Sequence, residues 1–220
     1  MRLQERNEYF FIKDSCFLFG FTKPAFKNSI LELEDLNKLN LKIATLKQIH
    51  SSKINIIEKA SNYQGDGLFT STSDLVLTVK TADCLPIFLY SKELNVCGII
   101  HMGWRGAVSG ILENIPFNLN SFKVIAGVGL RKCCYKVGKE FLEFNIYPFI
   151  LNIKGVLYFD VIEFTKNILI SKGLKEENFL DLGICSFCSK ESFFSYRRDK
   201  TILRTFSFIV RLNRDVKRGS

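Results

Sequence analysis

Leu85-Pro86-Ile87-Phe88-Leu89-Tyr90, followed by Asn95-Val96-Cys97-Gly98-Ile99-Ile100-His101-Met102-Gly103-Trp104-Arg105-Gly106, decides how this chain folds. The first run and the first six residues of the second are short, apolar and rich in Ile, Leu, Val and Phe, so both predict buried strands. Ala107, Val108, Ile111 and Leu112 then recur at helical spacing, which predicts a helix over residues 104–115. His101 therefore falls in a strand-to-helix turn, and Gly103 and Gly106 permit close backbone approach there.

Outward from this unit the chain reads as mixed α/β. Residues 74–79 predict another buried strand, as do 179–185, and residues 205–212 place Phe206, Phe208, Val210 and Leu212 on one face of a half-buried strand. Asp160 and Glu163 have the spacing of a capping box, with Val161, Phe164, Ile168 and Leu169 as an apolar face and Gly173 as a stop signal. There is no internal repeat and no linker-like segment, so residues 1–220 are expected to form one domain with a short basic tail from about 213.

The composition narrows the function. At 47% apolar content, 220 residues can bury a large shared core. No apolar run approaches the ~20 residues that span a bilayer, and the first residues are polar and charged, so a cytoplasmic protein with no membrane partner is expected. Seven cysteines, an odd and scattered set, do not form the framework of a small secreted protein, and reduced thiols are expected. The charge of +9 comes from Lys and Arg spread along the chain, and the cluster at 211–218 reads as a solvated tail, so nucleic acid is not the expected partner.

Only two histidines occur, His50 in Gln48-Ile49-His50 and His101, with Asp83-Cys84-Leu85-Pro86 between them. Two imidazoles and a thiol on three segments suit a zinc ion with an open position, three protein ligands being completed by a water. Gln48 shares a strand face with His50 and is a candidate to contact substrate, whereas Asp83 points the other way and reads as a positioning residue. Cys133-Cys134 and Cys185-x-x-Cys188 show no metal-site spacing relative to one another and read as ordinary core cysteines.

The motifs taken together are more specific than any one of them. Gln48-Ile49-His50, Gly65-Asp66-Gly67-Leu68-Phe69-Thr70, Thr81-Ala82-Asp83-Cys84-Leu85-Pro86, His101 to Gly106, Gly127 to Gly138 and Phe193-Phe194-Ser195-Tyr196-Arg197-Arg198-Asp199 occur in the order of the YfiH/DUF152 family, which the chain resembles from about residue 17 to 212. Members of that family have been described as multicopper polyphenol oxidoreductases or laccases, peptidoglycan editing factors and purine nucleoside phosphorylases. The resemblance implies a four-layer α-β-β-α sandwich of mixed sheets and a zinc ion on His50, Cys84 and His101. It also implies phosphorolysis of adenosine, inosine and methylthioadenosine, deamination of adenosine, or both. The small-molecule partners would then be a purine nucleoside and phosphate.

Phosphorolysis needs an anion clamp, for which Arg105, Arg197 and Arg198 are the candidates. Cys84, His101, Gln48 and Arg105 are the expected catalytic set, and Arg197 and Arg198 the expected substrate-binding pair. The chain departs from the family where Ser29 stands in place of an expected arginine, and no Gly-Gly turn follows Phe19-Gly20-Phe21-Thr22. Other classes stay open at this point: a cysteine hydrolase or amidase using Cys84 in peptidoglycan precursor editing, a copper-dependent phenol oxidoreductase, since a His/Cys/His site also takes copper, and a non-enzymatic binding module using the positive surface.

Overall fold

A computed structural model of the chain describes residues 2–24, 26 and 29–213. The basic tail expected from about 213 falls almost wholly outside the described residues, as does Asn28 beside Ser29.

The strands of the first half are β1 (Gln4–Glu5), β2 (Tyr9–Asp14), β3 (Phe17–Thr22), β4 (Lys42–Lys47), β5 (Ile54–Ile56), β6 (Asn62–Gln64), β7 (Gly67–Thr70) and β8 (Leu75–Thr81). The second half adds β9 (Leu85–Ser91), β10 (Val96–Met102), β11 (Lys123–Ala126), β12 (Lys136–Val137), β13 (Ile150–Ile153), β14 (Val156–Phe159), β15 (Phe179–Asp181) and β16 (Thr205–Arg211). They form three sheets, a seven-stranded one in the order β1-β2-β3-β16-β8-β4-β6, a six-stranded one in the order β15-β11-β9-β10-β7-β5, and a small one of β12, β14 and β13. The two large sheets are mixed: β9, β10 and β11 pair antiparallel, whereas β4 and β8 run parallel, as do β5 and β7.

Period-two alternation sorts each central strand between two cores. Phe88 and Tyr90 of β9, with Cys97 and Ile99 of β10, face Phe17, Phe19 and Phe21 of β3. The ring centroids of Phe19 and Phe88 lie 5.3 Å apart, and Phe21 meets Phe88 edge-on at 5.2 Å. These contacts stack the large sheets face to face, and each buried aromatic contributes about 1.5–3 kcal/mol of hydrophobic stabilisation. The alternate residues Leu85, Ile87, Leu89, Ile100 and Met102 turn to the other face of the six-stranded sheet, against helical segments. On the far face of the seven-stranded sheet, Phe208 and Val210 pack with Leu18, Val76, Phe26, Ile30 and Leu33.

Helices are few: α1 (Trp104–Val108), α2 (Val161–Ser171) and α3 (Tyr196–Asp199). α2 has the expected start, with the Asp160 carboxylate accepting from the Glu163 amide at 3.2 Å, and Val161, Phe164 and Leu169 are buried. Three sequence expectations are corrected. The helix over 104–115 stops at Val108, because Gly110 takes φ of 77° and the chain continues as turns. The strand over 179–185 ends at Asp181, with Cys185 joined only by an isolated bridge to Gly129. β16 is not half-buried: it lies between β3 and β8 with both faces covered, so Ser207 and Ile209 are as buried as Phe208 and Val210. Among the described residues no helix is long and apolar enough to cross a membrane.

Candidate metal centre and cavity

The chain passes from the seven-stranded to the six-stranded sheet between β4 and β5, between β6 and β7, and between β8 and β9. These crossings carry His50, Asp66 and Cys84 respectively, and the end of β10 brings His101 to the same place. The sulfur of Cys84 and one ring nitrogen from each histidine all lie within 4.8 Å of one another, and the two imidazole centroids are 4.9 Å apart. The trio singled out in the sequence is thus assembled by the way the sheets are joined.

Asp66, quoted above only as part of a motif, is the residue that organises the cluster. Its carboxylate is fully buried and accepts from the amides of Ile49 (3.3 Å), His50 (3.0 Å) and Ser51 (2.7 Å), and from the Ser51 hydroxyl (2.9 Å). The same carboxylate meets His101 Nδ1 at 2.8 Å. Burial raises its pKa, but the hydrogen bonds from His101 and Ser51 prevail and hold it at about 2. An ionised Asp66 accepts, so His101 Nδ1 donates, and Nε2 is the nitrogen free to ligate once its proton is displaced.

Cys84 is tuned by the same neighbours. Burial pushes the thiol up, yet His101 and His50 together bring it down to about 6. His101 moves the other way: burial lowers it, while Cys84 and Asp66 lift it to about 9. Backbone geometry makes the cluster tight. His50 and Asp83 take φ of 57° and 92°, a region costly for side-chain-bearing residues, and a Cβ on Gly103 would stand 3.0 Å from Cys84 Sγ. The Asp83 turn is pinned because its carboxylate accepts from the Ser186 hydroxyl at 2.8 Å and the Arg197 amide at 2.6 Å, in keeping with a positioning role.

The cluster forms one wall of a cavity of ≈ 560 Å³, which suits a small organic molecule. Trp104, Tyr135 and Leu130 give it apolar surface, and Lys80, Arg105, Arg197 and Arg204 give it positive charge. Arg105 stacks on Trp104 with its Cζ 4.6 Å from the ring. Arg197 donates to the carbonyls of Cys134 (3.2 Å) and Lys136 (2.5 Å), which aims it along the cavity wall. Arg198 is not among the residues lining the cavity. Its guanidinium donates to the carbonyls of Ser186, Phe187 and Phe193 and pairs with Asp199, because successive residues of α3 point about 100° apart. Gln48 lines the cavity, but both ends of its amide are engaged by the Lys80 backbone at 2.8 Å, so it acts as a clip between β4 and β8. Ser29 caps a 3-10 turn (Ile30–Glu32) and is not a cavity residue, whereas Lys80 and Arg204 are cavity cations that sequence reading missed.

A second cluster also escaped the sequence. Cys133, Cys134, Cys185 and Cys188 bring their sulfurs within 4.8 Å of one another, so they are not isolated core cysteines, and Cys133 and Cys188 are exposed. Spacing did not reveal it because the two pairs are about fifty residues apart and meet only through the fold. Each of the two clusters can hold a metal ion.

Residues 27–212 match the model of the family described as multi-copper polyphenol oxidoreductase laccase. The chain belongs to this family. It is 34% identical over 199 residues to a purine nucleoside phosphorylase of Borreliella burgdorferi, covering 81% of this chain and 85% of that protein. It is 26% identical over 178 residues to an adenosine deaminase, RL5, from an unknown prokaryotic organism, covering 69% and 68%. Its fold matches the solved structure of the hypothetical protein YfiH of Bacillus licheniformis with a TM-score of 0.83 at 22% identity, over 96% of this chain and 99% of that one.

Proposed function

We propose that this protein is a zinc-dependent purine nucleoside enzyme, splitting adenosine, inosine or methylthioadenosine with phosphate into base and sugar 1-phosphate, and deaminating adenosine at the same site. The observation that carries the reading is the meeting, in one cavity, of the His50–Cys84–His101 cluster with the cations of Lys80, Arg105, Arg197 and Arg204. Relatives named for phosphorolysis and for deamination support it. We further read the fold as a four-layer sandwich whose outer layer beyond the seven-stranded sheet is thin, built on the 3-10 turn at Ile30–Glu32 instead of a helix.

The donor set fits zinc: two imidazoles and a thiolate are common ligands of a catalytic site, and the Asp66 carboxylate beside His101 Nδ1 would hold that ring with Nε2 turned to the ion. Zinc bound there would supply Lewis-acid polarisation. The rest falls to the chain. Arg105 and Arg197 would hold phosphate against the anomeric carbon through charge-assisted bonds, with Lys80 and Arg204 adding to the positive field. Trp104 and Tyr135 offer faces for a purine and keep water from the reacting centre. Asp83 fixes the Arg197 amide and with it the start of α3.

Copper oxidation of phenols is a poorer fit, since two histidines in the whole sequence are too few for a multicopper cluster. A cysteine hydrolase draws on the lowered Cys84 thiol beside two imidazoles. The deciding experiment incubates zinc-loaded protein with adenosine, with and without phosphate, and identifies products by mass spectrometry, with Cys84→Ala as control. Phosphate-dependent adenine and ribose 1-phosphate, or inosine in either condition, is expected and is lost in the control. No product from metal-loaded protein would overturn the reading. Activity that survives a chelator but is lost on Cys84 alkylation would replace it with the hydrolase.

A further inference from the structure

We propose that Cys133, Cys134, Cys185 and Cys188 form a second metal site, a tetrathiolate centre for one zinc ion that staples two loops together behind the cavity. The sulfurs lie within 4.8 Å of one another, with Cys134 and Cys188 at 3.4 Å. A tetrahedron with Zn–S bonds of ~2.3 Å has edges of ~3.8 Å, so a single ion at the centre requires only small movements. The group contains sulfur alone, the donor set that selects soft or borderline tetrahedral ions over calcium or magnesium.

The loops are held in register without help from the thiols. Cys134 and Tyr135 donate their amides to the Arg131 carbonyl, and Ser189 donates to the Cys185 carbonyl, closing a tight turn over the Cys-x-x-Cys segment. The Ser186 amide donates to Gly129, joining the two loops. Arg198 pins the carbonyls of Ser186 and Phe187, the two residues between the paired cysteines, at 2.8 Å each. Four thiols gathered by such a scaffold gain little from one another, because S–H is a weak donor. A divalent cation satisfies all four.

The consequence reaches the cavity wall. Arg197 donates to the Cys134 carbonyl and Tyr135 follows Cys134 directly, so an ion on the cluster braces two cavity residues from behind. The metal count that tests the site does not depend on the activity proposed above.

Protein purified under reducing conditions and reloaded with zinc is analysed by elemental mass spectrometry, alongside Cys185→Ser/Cys188→Ser and His50→Ala/His101→Ala. The expected count is about two zinc ions per chain in the unmodified protein and about one in each variant. A count of about one in the unmodified protein and none in the histidine variant would overturn the second site. If the serine variant fails to fold, cadmium NMR of the unmodified protein decides: two resonances are expected, one in the all-thiolate region, and a lone resonance outside that region overturns the proposal. Intact mass of protein purified without reductant supplies the last outcome, since loss of hydrogens matching disulfides among these cysteines would mean that the cluster is a redox pair of thiols and not a metal centre.

Discussion

Asp66 shows how much of the site rests on one buried carboxylate. It ties the His50 loop to the end of β10, and Asp66→Asn keeps its size while replacing one acceptor oxygen with a donor. Metal affinity is expected to fall about 10- to 100-fold, read by competition with a chromophoric chelator, and an unchanged affinity would mean that loop geometry alone orients His101. Ionisation of the pair it supports gives a prediction with a definite sign. In the metal-free protein His101 is raised to about 9, so its contribution to stability is present below its unfolded value and is lost as pH rises through about 9. Cys84 is lowered to about 6, so its contribution is present above its unfolded value and is lost as pH falls through about 6. Each shift is caused largely by the other group, so the stabilisation is shared and spans the window from about 6 to about 9, where thiolate and imidazolium coexist. The urea midpoint of metal-free protein should be highest in that window, and Cys84→Ser should flatten the profile. Zinc at this site must displace the His101 proton, so calorimetry of Cys185→Ser/Cys188→Ser protein, which keeps only this cluster, near pH ~7.5 in buffers of different ionisation enthalpy should show about one proton released.

Short elements carry the division of labour that sequence adjacency hides. In α3, Arg197 and Arg198 stand side by side, yet one reaches the cavity and the other holds backbone carbonyls. Arg197→Lys is expected to raise the KM for phosphate with little change in unfolding midpoint, because a lysine loses the planar fork but keeps the charge. Arg198→Ala should cost about 1–3 kcal/mol in urea unfolding, since it strands the carbonyls of Ser186, Phe187 and Phe193, and its effect on KM should be the smaller. Equal effects on KM would mean that the two side chains share the substrate. What was legible in the sequence follows the same line. The strands around Phe88 and His101 were readable because apolar runs report burial directly, and α2 because Asp160 caps it. The length of α1 was not, since a glycine at 110 reads as tolerable until its φ is known. The His50–Cys84–His101 trio was legible because histidine is rare in this chain. The four-cysteine cluster was not, because it exists only through the meeting of two distant loops.

For the whole molecule, stacking of the two large sheets and assembly of the His50–Cys84–His101 cluster are one event. His50 and Asp66 lie on crossings between the sheets and His101 closes β10, so no single sheet carries the ligand set. Phe88 fills the interface between them against Phe19 and Phe21, well inside the core, and Phe88→Ala is expected to cost about 3–5 kcal/mol through lost contacts and a cavity. On the proposed reading zinc would bind only the stacked form, so an ion at about a hundredfold over its Kd should return ~2.7 kcal/mol to either protein. Thermal unfolding of unmodified and Phe88→Ala protein across a zinc series tests this. The two Tm curves should be offset but run parallel against the logarithm of free zinc. Parallel curves require that the variant, once folded, presents the same ligands. A flat curve for the variant alone would mean that the sheets can close without assembling the centre, and that the packed interface, not the crossings by themselves, sets the position of His50 and Cys84.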